Sequence, residues 1–147
     1  MPYRVGTTFL MTSGPAHDPN KMHLHIICTD PCINNCQLIV SVATYRDPYD
    51  ATCILNVGDH PFICRKSYVV YGAIKIENCS TIDNGLRRKI FRLKQSMRTD
   101  VLQRVCDGIL LSPHTKPKHK DYFKQQHNSQ AQIPVPLIAS SVPVQNQ

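Results

Sequence analysis

The sequence predicts a mainly β fold, a small antiparallel barrel with one late helix packed on it. Three observations carry this. The first 75 residues hold short β-branched and aromatic runs separated by clusters of turn formers. Residues 98–111 hold the one stretch of helical period. The chain has 147 residues, enough for one hydrophobic core plus tails. Five short strands and a single helix cannot cover a parallel sheet on both faces, so closure of an antiparallel sheet is the economical solution.

The elements follow in order. Val5 to Met11 is β-branched and aromatic, and the run from Thr12 to Asn20, with Gly14, Pro15 and Pro19, reads as a long loop. Met22 to Cys28 alternates Met22, Leu24 and Ile26 against His23, His25 and Ile27, which places both histidines on one face of a second strand. Thr29 to Asn35 is turn-rich, and Gln37 to Thr44 is the strongest strand in the chain. Ala51 to Val57 and Tyr68 to Lys75 supply two more strands around the segment Gly58 to Ser67, and Asn84-Gly85 reads as a turn. From Arg98 to Leu111, Val101, Leu102, Val105, Ile109 and Leu110 recur at helical spacing behind Ser96, Thr99 and Asp100, which suit a helix start. Ser112-Pro113 ends that helix. The expected domain is therefore 1–115, and 116–147 is expected to be a basic and then Pro- and Gln-containing flexible tail.

Charge is unevenly spread. Residues 1–84 carry six basic side chains against seven acidic, whereas residues 85–124 carry eleven against three, a net charge of +8. A polyanion is the partner such a segment attracts, in a salt-dependent way and without sequence selection. Lys116, Lys118 and Lys120 are expected to contribute affinity of this kind. No apolar run approaches the length of a membrane span, and the first residues lack the features of a secretory signal, so a cytoplasmic location is expected.

Seven cysteines, an odd number, cannot all pair within the chain, and reduced thiols are expected. Cys28, Cys32 and Cys36 recur every four residues, but Pro31 disfavours a helix there. His23, His25 and His60 with one or two thiolates could complete a zinc site, so a zinc-stabilised structural protein is one reading. No P-loop, GxGxxG, GxSxG or HExxH pattern is present, which removes the common nucleotide-binding, serine-hydrolase and zincin readings.

Three places resemble the PemK/MazF family of toxin ribonucleases: the first strand and Gly-containing loop (Val5 to Gly14), the strand end Ser41-Val42-Ala43-Thr44, and Ser67-Tyr68-Val69 opening the fifth strand. The resemblance spans about residues 3–112. It implies an SH3-like barrel, metal-independent cleavage of single-stranded RNA without a cofactor, translation arrest, a homodimer and a cognate antitoxin. Thr44 falls where the family's strand-ending Thr assists catalysis. The family's Arg-Pro at the second strand is replaced by Lys21-Met22-His23-Leu24, so His23 is expected in the Arg's place or the activity is lost. Gly58 to Ile63 lies outside the family pattern and suggests a divergent branch.

The residues themselves suit the reaction. Cleavage by the RNA's own 2′-hydroxyl needs a base, an acid and donors to the phosphorane oxygens, and imidazole titrates near working pH. The expected catalytic set is His23, His25, Thr44 and Ser67, and the expected RNA-binding set is Lys21, Arg46, Arg65, Lys66 and His60. Tyr45, Tyr49, Phe62 and Tyr68 are candidates to stack on bases. Cys64, beside two cations, is a weaker candidate nucleophile. A non-catalytic SH3-like nucleic-acid-binding module is the principal rival reading.

Overall fold

A computed structural model describes residues 3–12, 21–46 and 49–132. Six strands form one sheet: β1 (Thr8–Thr12), β2 (Met22–Ile27), β3 (Cys36–Thr44), β4 (Ile54–Leu55), β5 (Ser67–Asn78) and β6 (Arg92–Lys94). Their order is β4-β5-β3-β2-β1-β6, with every pairing antiparallel. The sheet curls into a half-barrel, so the mainly β expectation holds. Between Ile39 and Ser41 the register with β5 jumps from Lys75 to Val70, and this bulge, which includes Gly72, bends the long strand. Three helices accompany the sheet: α1 (Cys79–Arg87), α2 (Thr99–Leu111) and α3 (Pro117–Gln132).

Alternation along the strands sorts side chains onto two apolar faces. Leu10, Leu24, Ile26, Leu38, Val40, Val42, Leu55, Val69 and Tyr71 point to the larger core, where Val101, Val105 and Ile109 of α2 and Phe123 of α3 meet them. The three α2 residues are four apart and fully buried, each worth about 2 kcal/mol of transfer free energy. Phe9, Met11, Ile27 and Ile39 point the other way and pack on Ile82 of α1. One contact that seats helix α2 on the sheet is the Tyr71 hydroxyl, which donates to the Val105 carbonyl at 2.7 Å, directly under Gly108.

Several elements differ from the sequence expectation. Asn84-Gly85 lies inside α1 rather than in a turn, because Ile82 anchors that helix and the Phe91 ring fills the space where a Cβ on Gly85 would sit. Residues 117–132, expected to be tail, form α3; Phe123 is buried in the main core and the Tyr122 hydroxyl donates to the Cys36 carbonyl at 3.0 Å. The expected tail beyond residue 132 and the Gly14 loop lie outside the described residues. The fourth strand is two residues long, and β6 was not anticipated. All seven cysteines are unpaired thiols. Among the described residues, no helix is long and apolar enough to cross a membrane.

Candidate nucleic-acid interface

Thr44 ends β3 and Ser67 opens β5, and the two are direct cross-strand partners. The alternation that buries Val42 carries Thr44 two residues further along the same face, past the rim of the core, where it is exposed. There it lines a cleft of about 340 Å³ with Lys21, Arg65, Cys64, Phe62 and Ser67. Ser67 is buried and its hydroxyl donates to the Arg65 carbonyl at 2.8 Å, so it fixes the backbone from which the Arg65 guanidinium extends. Lys66 lies on the adjoining surface with its Nζ 4.4 Å from the centre of the Tyr45 ring, and Arg46 is exposed nearby in sequence. Lys21, Thr44, Arg65 and Ser67 are thus brought to one place.

The expected convergence of His23 with Thr44 is not what the register gives. His23 pairs with Met11 and His25 with Phe9 and Ser41, so both rings belong to the second face of the sheet. Thr44 and Ser67 belong to the first. His23 borders the cleft, but its alternation turns the ring to the opposite side of the strand. The pairing of His23 with His25 was legible in their spacing; the choice of face against Thr44 was set by the β2–β3 register, which no single sequence displays.

His25 is a core residue. Its ring stacks on Phe9 with centroids 5.7 Å apart, and its Nδ1 donates to the His23 carbonyl at 2.9 Å. Burial lowers its pKa to about 4, with the nearby charges of Lys75 and His23 acting in the same direction. Burial, then Lys21, also lowers that of His23. A group whose folded pKa lies below the unfolded 6.5 is stabilising above 6.5, and that contribution is lost as pH falls through 4. The loss amounts to about 3 kcal/mol across this window. His25→Phe, which keeps the stack on Phe9, should therefore flatten the stability–pH curve between about pH 6.5 and 4; urea titrations giving parallel curves for both proteins would contradict it.

His60, expected in the RNA-binding set, is sealed from the surface. It is buried, its Nε2 donates to the Gln95 carbonyl at 2.6 Å and lies 3.2 Å from the Thr8 hydroxyl, and its Nδ1 accepts from the Phe62 amide at 3.0 Å. It clamps the β4–β5 loop across to β1 and to the residue after β6. Asp59 fastens the same loop by an ion pair to Arg104 of α2 at 3.0 Å, and its carboxylate accepts from the Asn56 amide at 2.8 Å. The Gly58 to Ile63 segment is therefore the frame that presents Phe62 and Arg65 to the cleft. His60→Leu leaves buried polar partners unpaired and should cost about 3 kcal/mol. A urea midpoint equal to the parent's would refute that role.

The aromatic candidates divide. Tyr68 is buried and stacks on Tyr49 at 5.1 Å, while Phe62 is exposed beside the cleft. For the zinc reading, no group of three or more His, Cys, Asp or Glu side chains among the described residues is placed to hold a metal ion. Neither a protein-family model nor a curated protein matches the chain.

Proposed function

We propose that the protein is a toxin-type endoribonuclease that takes single-stranded RNA into the Thr44–Ser67 cleft and cleaves it without a metal ion. The observation that supports this reading is the meeting of Thr44, Ser67, Arg65 and Lys21 in one cleft, on a chain whose residues 85–124 carry a net charge of +8. In this scheme Arg65 holds the scissile phosphate and neutralises charge on the phosphorane, and the Thr44 hydroxyl donates to a non-bridging oxygen. The 2′-hydroxyl attacks phosphorus and gives up its proton to solvent, while the departing 5′ oxygen takes a proton from the Lys21 ammonium. The products are a 2′,3′-cyclic phosphate and a 5′-hydroxyl. Phe62 stacks on a neighbouring base. A homodimer and a cognate antitoxin belong to the same proposal, as the partners such a toxin has.

A second reading, binding of RNA without cleavage, is favoured by the placement of the His23 ring on the far face, which among the described residues leaves no imidazole aimed into the cleft. One experiment separates the two. Incubated with single-stranded RNA in EDTA, the protein should yield fragments ending in cyclic phosphate. Intact RNA in a salt-sensitive gel shift would establish the binding module instead, and intact RNA with no shift would remove both.

A further inference from the structure

Strand β6 closes one end of the sheet order and pairs with β1 along one side only. Among the described residues, the backbone of Arg92–Lys94 has no hydrogen-bond partner besides β1. Among the described residues its second side is an open edge. All three of its residues are exposed, and Ile90 and Leu93 are each more than half exposed.

The charge on this edge is of one sign. Arg88, Lys89, Arg92 and Lys94 fall within seven consecutive residues, and among the described residues none of them makes an ion pair. Period-two alternation puts Arg92 and Lys94 on one side of the strand and Leu93 on the other. We propose that this edge binds an extended, acidic segment of a partner protein by strand addition. Acidic side chains of the segment would face Arg92 and Lys94, and an apolar one would face Leu93.

Two features select this occupant. A second copy pairing through its own β6 would set Arg92 and Lys94 against like charges, which is repulsive. RNA bound along a strand needs an exposed ring on which to stack a base. The ring in this segment, Phe91, is half-buried, stacked on Phe9 at 5.4 Å and packed over Gly85. The proposal is independent of the cleavage reading, since the edge and the Thr44 cleft share no residue.

The test uses the full chain and a short peptide alternating Glu and Val, followed by fluorescence anisotropy and amide hydrogen exchange. The peptide should bind in a salt-dependent manner and slow exchange at residues 92–94, whereas a Lys-Val peptide should not bind. A Glu-Pro peptide, which keeps the charge but cannot add a strand, should also fail. Arg92→Glu with Lys94→Glu should weaken binding at least about tenfold. Should that pair fail to fold, Arg88→Glu with Lys89→Glu, off the strand, should weaken it by a smaller factor. Failure of the Glu-Val peptide to bind, equal binding of the Glu-Pro peptide, or indifference to charge reversal would overturn the proposal. So would single-stranded RNA protecting the same amides and displacing the peptide.

Discussion

Replacing Gly108 with alanine is expected to lower stability by about 3 kcal/mol, although alanine is the better helix former by about 1 kcal/mol. The reason is the seat of α2. A Cβ at this position would overlap the Tyr71 hydroxyl oxygen and lie 2.5 Å from its Cζ. Tyr71 is fully buried, so its ring has no free space to enter, and any retreat breaks the 2.7 Å bond to the Val105 carbonyl. For a domain of this size the loss corresponds to a melting temperature lower by about 10 °C. Tyr71→Phe removes the nearest clashing atom and should itself cost only about 1 kcal/mol. The two changes should therefore couple, with alanine at 108 less damaging when combined with Tyr71→Phe than alone. A Gly108→Ala protein as stable as the parent in urea would show that α2 does not sit on Tyr71.

The second large effect concerns the cleft. Arg65→Met and Thr44→Val should each reduce RNA cleavage about 100-fold, the usual consequence of removing one donor to a charged transition state. Both side chains are exposed, so the urea midpoints should stay near the parent value. His23→Asn should leave the rate within a factor of about three, since its ring lies on the other face. The contrast between the variants is the decisive feature. If His23→Asn abolishes cleavage while Arg65→Met spares it, the chemistry belongs to the histidine face and the site is misplaced.

The strands β1, β2, β3 and β5 and the helix α2 were legible because each carries its own period: alternating or continuous β-branched runs for the strands, and Val101, Val105 and Ile109 four apart for the helix. Helix α1 was hidden because Asn84-Gly85 is locally a turn signal; only the Phe91 ring, which lies against Gly85, makes glycine suitable within a helix. Helix α3 was hidden by composition, since Lys116 just before it, Lys118 and Lys120 at its beginning and a polar run after them resemble a solvated tail. What holds it is a pair of aromatics, Tyr122 and Phe123, whose burial depends on a surface assembled from distant residues.

The site shows the same division. The Thr44 and Ser67 hydroxyls were identified from two strand ends, and the structure makes those ends partners. The expected convergence of the His23 ring with Thr44 departs from the register, because a strand's own alternation says which residues share a face but not which face a neighbouring strand offers them. His60 was expected among the RNA-binding residues, and its burial within the loop was not legible, because the Gln95 carbonyl and Thr8 hydroxyl that hold it are distant in sequence.

Anchoring of Phe123 beneath the sheet ties electrostatics to folding. The lysines at 116, 118 and 120 precede that anchor, and Lys124 follows it immediately. A protease cutting ahead of Lys116 would strip these cations together with Phe123 and uncover oily strands in a single step. The molecule therefore cannot shed these cations by proteolysis and keep the core that Phe123 completes, and any means of lowering this charge has to act on the side chains themselves.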